Sequence, residues 1–294
     1  TQDEIPGNST EICPNCGAPI KEKVEEYTSS LFCPNCGTSI ILDERIAGDY
    51  KPELILPFKI SREKAVELLK KEFGNRIFTP LSFLNNSSIK SIEGIYVPFF
   101  MYDFSTKGSY SGTATRVRTW SDANYNYTET SYYSIEREAE ADYSNVPVDA
   151  SFKMQDDYMD LSEPFSFDGM EEFQSKFMSG FLGEKYNESP DTLKPRAEVK
   201  VRRSMDSILS KSIVGYTTVN GSSNIYSTEK QHKYALLPVW KYVFRSKGTD
   251  YAFYVNGQTG KMVGDLPIDN AKYWKIVIGI VIVFDILLLL IEQH

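Results

Sequence analysis

The chain changes its hydrophobic period as it runs. Leu54–Ile60 reads as a strand, and Ser61 caps a helix through Phe73, with Val66, Leu69 and Phe73 at i, i+3 and i+7 and Gly74 as the stop. From Gly94 to Asn145 the period becomes two. This predicts a β-meander of Ile95–Phe104, Ser109–Trp120 and Tyr127–Asp142, the last two joined by the turn Ser121-Asp122-Ala123-Asn124. Residues 146–167 are irregular. Met170, Phe173 and Phe177 then predict an amphipathic helix over Gly169–Leu182, and a second helix runs from near Pro195 to about Ser212 with Ala197, Val201, Met205, Ile208 and Leu209 inward. Residues 213–264 return to strand, with hairpin signals at Asn220-Gly221 and Asn256-Gly257.

One stretch echoes another. Pro98, Tyr102, Phe104, Lys107 and Gly108 recur in the same spacing as Pro238, Tyr242, Phe244, Lys247 and Gly248, each copy reading as a strand that enters a Lys-Gly turn. A period of about 140 residues is a duplication and not a solenoid. The expected fold is therefore α+β: an acidic tail (1–12), a small zinc ribbon (13–45), two related α+β subdomains or one duplicated sheet (52–150 and 151–268), and a C-terminal transmembrane helix (273–291).

The ribbon expectation comes from chemistry. Cys13-Pro14-Asn15-Cys16-Gly17 and Cys33-Pro34-Asn35-Cys36-Gly37 are near-identical knuckles that use every cysteine in the chain. Two residues between thiolates let one tight turn aim both sulfurs at an ion, and the following glycine permits a positive φ. Cys13, Cys16, Cys33 and Cys36 should thus bind one structural zinc, with no coordination position left open for catalysis.

Tyr273–Ile291 holds fourteen Ile, Val, Leu or Phe residues in nineteen positions. At about 1.5 Å per residue this reaches roughly 28 Å, close to the ~30 Å hydrocarbon core. Asp285, within the run, costs about 2.5–3.5 kcal/mol, whereas the apolar residues supply roughly 4–8 in the other direction, so insertion is favoured. Tyr273 and Trp274 sit where an interfacial aromatic belt belongs, and Lys272 and Lys275 place the N-terminal domain in the cytoplasm. Asp285 is expected to face a partner helix, because an intramembrane carboxylate is less costly when shared. Thr1–Thr10 has neither a basic nor an apolar region of a secretory signal.

Charge narrows the partners. The net charge is −8. Residues 1–45 carry eight acids against three bases, so phosphate is repelled and nucleic acid is an unfavoured partner. Catalysis has little to draw on, since the two histidines are His232 and His294 and no phosphate-cradling loop is present. The function expected is a non-enzymatic membrane-anchored scaffold that organises other membrane proteins; the alternative is a membrane-tethered nucleic-acid-binding factor.

The knuckles, together with Leu56-Pro57-Phe58-Lys59-Ile60, Gly94-Ile95-Tyr96-Val97-Pro98-Phe99, Val146-Pro147-Val148-Asp149-Ala150-Ser151, Glu163-Pro164-Phe165, Leu237-Pro238-Val239-Trp240 and Asn256-Gly257-Gln258-Thr259-Gly260-Lys261, resemble the membrane-anchored TFIIB-type zinc-ribbon proteins of Gram-positive bacteria and archaea. That family is sometimes labelled primosomal helicase-like, a label the missing Gly-Lys-Ser/Thr loop contradicts here. The resemblance brings no known catalytic residues. It implies company with stomatin/flotillin-like proteins and the phage-shock membrane-stress system.

Overall fold

The computed structural model describes residues 12–20, 28–41, 51–74, 76–80, 83, 92–151, 153–246, 248–266 and 268–292. The fold is α+β, built on one large, mostly antiparallel sheet. Its two long strands are β4 (Glu93–Ser121) and β8 (Thr218–Ser246), which run antiparallel side by side. β4 turns at 122–125 into β5 (Asn126–Asp149), which returns along its outer edge, and β8 turns into β9 (Thr249–Asn256), which returns along the opposite side.

The echo lies at the centre of this arrangement. Val97 pairs with Leu237 across β4 and β8, and these are also the same position in the two copies. The equivalence extends outward. β3 (Leu54–Ile55) runs parallel to β8 with Leu54 opposite Ala235, and β7 (Leu182–Glu184) runs parallel to β4 with Leu182 opposite Ile95. Each short strand leads to a serine N-cap, Ser61 or Ser189, whose hydroxyl accepts from the backbone N–H three residues on. Each cap opens a helix, α1 (Arg62–Phe73) or α3 (Pro190–Lys211). The order strand, helix, long strand, return strand thus occurs twice, and each first strand pairs with the other half's long strand. Strands of 52–150 and 151–268 interleave in one sheet.

Packing follows the same plan. α1 buries Ala65, Leu69 and Phe73 against Trp240, Tyr242 and Phe244 of β8, while α3 buries Leu193, Ala197 and Val201 against Phe100, Tyr102 and Phe104 of β4. The other face of β4 carries Ile95, Val97, Phe99 and Met101, covered by Met159 of the short helix α2 (Asp156–Ser162) and by Phe165. With both faces covered, 95–104 is a near-continuous apolar run, as a buried central strand requires.

Four local readings are corrected. Lys107-Gly108 is not a turn: β4 runs straight through, paired to β5 and β8 on either side, and the glycine is there because a Cβ would lie 2.7 Å from Cγ of Met205 on α3. Its counterpart Gly248 does turn, with φ +84°. Asn220-Gly221 is not a hairpin either; it lies inside β8, with Gly221 opposite Gly112 of β4. The helix expected at Gly169–Leu182 is absent. That stretch holds two single-turn 3-10 helices, Phe167–Gly169 and Ser175–Met178, and a two-residue strand, β6 (Glu171–Glu172), on β3. There the backbone N–H of Phe173 goes to Glu53, which takes it away from any helical partner. Finally, α3 starts at Pro190 and not near Pro195, since Ser189 caps it earlier and Pro195 sits within the helix. At Asn256-Gly257 the hairpin is present: Asn256 Oδ1 accepts from the N–H of Gln258 and Thr259, and the chain returns as β10 (Met262–Gly264).

The last helix, α4, spans Asn270–Glu292 and contains the whole apolar run Tyr273–Ile291. Ile280, Val281, Ile282, Val283, Phe284 and Ile286 are all exposed on it. Among the residues whose side chains are described, which end at Ile286, no helix is long and apolar enough to cross a membrane. Positions 287–291 of the expected span lie outside them, as do residues 1–11 of the acidic tail and 21–27 and 42–45 of the expected ribbon.

Candidate metal centre

The two knuckles form matching turns. The backbone N–H of Gly17 bonds to the carbonyl of Cys13, and that of Gly37 to Cys33, with the glycines at φ +68° and +71°. Ile20 and Ile40 are buried beside Cys13 and Cys33, and β1 (Thr28–Phe32) with β2 (Ser39–Ile41) forms the hairpin that carries the second knuckle. So small a core cannot hold this unit alone.

Four thiols converge. Cys13 Sγ lies 3.7 Å from Cys36 Sγ, and Cys16 Sγ lies 3.7 Å from Cys33 Sγ. All four sulfurs fall within 4.8 Å of one another, making this a group that can hold a metal. Ion-to-sulfur distances of about 2.3 Å in a tetrahedron imply sulfur–sulfur edges of roughly 3.8 Å, so the donors fit one structural zinc. No sulfur pair is close enough to be a disulfide, and all four cysteines are free.

The surroundings are reciprocal. Asn15 Nδ2 points at Cys36 Sγ (3.7 Å) and Asn35 Nδ2 at Cys16 Sγ (3.6 Å), so each knuckle's asparagine supports a sulfur of the other. These amides act as outer-shell donors that orient the ligands. Side-chain and backbone hydrogen bonds from Thr38 hold the Cys36 thiol down to about 6, and Asn35 lowers Cys16. At Cys13 a backbone hydrogen bond from Cys16 pulls downward, yet burial and the neighbouring thiols push it up to about 11. An ion shared by the four would favour the thiolate at every position.

The centre is sewn to the main sheet. β1 pairs with β7, Ser30 opposite Gly183, and the buried Ser30 hydroxyl donates to the carbonyl of Phe181 at 3.0 Å. Phe181 in turn stacks on Phe58, with centroids 4.2 Å apart and planes at 5°. Neither β1–β7 pairing nor this bond had a signal in the sequence, because both join segments about 150 residues apart.

A second polar cluster lies where β5 ends; Asp156, which by sequence reads as part of a solvated run, and Glu163 meet cations of α3 there. Asp149 is fully buried, with Arg196 Nη2 at 2.9 Å; Arg196 also reaches Asp156 and Asp160, and Lys200 reaches Asp160 and Glu163. Burial raises Asp149 to about 7 despite Arg196, and burial also raises Glu163 against the pull of Lys200. Asp168 lies in a 3-10 turn away from these pairs, within 3.4 Å of Ser166. His232 contacts Glu229 at 2.8 Å, and Asp285 is exposed on α4.

No family model matches the chain, and no solved structure does. The uncharacterized protein YdjG of Bacillus subtilis (strain 168) is 36% identical over 233 residues, an alignment covering 79% of this chain and 68% of YdjG. With this identity over most of both chains, the chain belongs to the family of Bacillus subtilis YdjG.

Proposed function

We propose that this protein is a non-enzymatic scaffold of the bacterial cell membrane: a zinc ribbon fused to the edge of a duplicated α+β sheet, held at the cytoplasmic face by one C-terminal span. In the family it resembles, such chains are TFIIB-type zinc-ribbon membrane proteins, and its partners are other membrane proteins of stomatin/flotillin-like or phage-shock type. The observation that carries this reading is the closed set of four convergent thiols, two of them on the hairpin whose β1 pairs with β7. Four thiolates fill a zinc ion's coordination, so the metal has a structural task, which is to hold β1 as an added strand of the main sheet.

Two further features support the membrane part. α4 presents apolar side chains to the outside around much of its circumference, with Tyr273 and Trp274 exposed near its start and Lys272 donating to the carbonyl of Thr79 on the main domain. Asp285 is exposed in the apolar stretch, where a partner helix would share the cost of its burial. Hydrocarbon contact would remove this surface from water.

Affinity capture from native membranes tests the proposal. The wild-type chain should retain membrane proteins at moderate salt, and Asp285→Leu should insert equally well while capturing them in lower yield. Unchanged capture by Asp285→Leu removes the role of the carboxylate. A wild-type chain that extracts without detergent, or that captures nucleic acid with steep salt dependence, overturns the reading.

A further inference from the structure

Beyond the α+β core, β4, β5 and the first part of β8 continue as a three-stranded extension whose register runs without interruption from Thr106 to Thr115 on all three strands. β5 is its outer strand. It pairs with β4 on one side, and no described strand pairs its other side. The uncovered stretch is long, from Asn126 to Tyr143, and it ends at an irregularity where Asn145, at φ +56°, gives its N–H to Asp103 Oδ1. The register with β4 shifts there, and pairing resumes from Val146 to Asp149.

Sheet edges are ordinarily blunted by proline, by charged side chains, lysine above all, by bulges or by a covering element. The outer edge of β8 is blunted in this way, with Lys230 and Lys233 along it. Residues 126–143 of β5 contain no proline or lysine, and their charged residues are Glu129, Glu136, Arg137, Glu138, Glu140 and Asp142, so the edge admits only a partner strand whose register keeps these carboxylates apart. α3 packs on the face of the extension, through Met205 and Leu209 on Tyr110, Ala114 and Ile135, and leaves the edge free.

We infer that the β5 edge is the interface for a second copy of this chain, the two β5 strands pairing antiparallel about a two-fold axis at Tyr133. Charge selects the partner and the register. In an isologous antiparallel pair the facing residues of the two copies lie on the same side of the sheet, so they have the same parity in sequence. An axis at Glu136 or Glu138 sets carboxylates opposite each other. The axis at Tyr133 sets Glu129 opposite Arg137 twice, by symmetry, and places Glu136, Glu138 and Glu140 opposite Thr130, Thr128 and Asn126. Tyr133 is exposed at this point, and its ring packs on Tyr216 at 5.2 Å and beneath Arg116 on its own chain. The product is one continuous six-stranded sheet, β8-β4-β5 against its two-fold copy, with closed symmetry and no further growth through β5.

The full chain in nonionic detergent, followed by sedimentation equilibrium, tests this independently of the scaffold reading. The wild type should be a dimer. Glu129→Arg or Arg137→Glu alone should raise the dissociation constant by about tenfold, since each replaces two opposite-charge pairs with two like-charge pairs. The double exchange should restore it, and metal content should be unchanged in all three variants, which shows that they fold. A monomeric wild type overturns the interface. So does a dimer indifferent to both single variants, or one that the double exchange leaves weakened.

Discussion

Asp149 and Asn256 occupy the same place in the two halves of the sheet. Asp149 closes β5 opposite Phe99, and Asn256 closes β9 opposite Val239, the equivalent of Phe99 in the echo. Both are fully buried, and in each case the next residue's N–H bonds to a proline carbonyl, Ala150 to Pro98 and Gly257 to Pro238. Asn256 is satisfied without charge, its amide donating to the carbonyl of Ser162, whereas Asp149 brings a carboxylate whose Oδ2 has no hydrogen-bond partner among the described residues.

This difference sets a pH dependence. A carboxyl raised by burial to about 7 favours its neutral form in the folded chain, so its contribution to stability is full below the ordinary carboxylate range and is lost as pH rises through about 7. Asp149→Asn, which copies the other half, should therefore match the wild type in thermal midpoint near pH 4 and gain on it progressively up to about pH 7 and above. A variant that is the less stable of the two at pH 8 would show that the Arg196 pair outweighs burial.

Removing a sulfur should loosen more than the ribbon. Cys33→Ser should abolish stoichiometric metal binding, and because β1 is hydrogen-bonded to β7, amide exchange should quicken at Gly183 and Glu184 as well as across 28–41. Exchange confined to 28–41 would mean that the main sheet holds β7 without help.

Gly108 should resist any side chain. A Cβ there would meet Met205 Cγ at 2.7 Å and Leu209 Cδ1 at 3.0 Å beneath α3, so Gly108→Ala is expected to cost about 1–3 kcal/mol as overpacking. Gly169→Ala, where nothing lies within 4 Å, is the control and should be near neutral. Chemical denaturation of both variants measures the difference.

The buried Tyr102 hydroxyl donates to the carbonyl of Pro190 at 2.6 Å, tying β4 to the first turn of α3. Its counterpart Tyr242 donates to the carbonyl of Phe83. Tyr102→Phe leaves a buried carbonyl without that donor and should destabilise by about 1–3 kcal/mol, read from urea unfolding at unchanged slope.

Some of this architecture was written in local residues. The two knuckles, with their glycines at positive φ, need only a few neighbouring positions to aim two sulfurs, and the helix capped by Ser61 lies where its period and cap placed it. The strand character of 95–120 and 127–142 was legible for the same reason, since alternation is a property of adjacent residues. What the sequence left open was decided by partners far along the chain. Lys107-Gly108 and Asn220-Gly221 carry turn chemistry, yet both lie inside strands, because β4 and β8 pair there, and the glycines leave room for Met205 above one and Gly112 opposite the other. The apolar spacing of Met170, Phe173 and Phe177 fits a helix, but Glu53 on β3 claims the Phe173 N–H, and hydrogen bonds across such distances leave no trace in a local period. Pairing of β1 with β7 and of each half's first strand with the other half's long strand is likewise tertiary, because the sheet, and not any single segment, fixes which backbone groups remain to be satisfied.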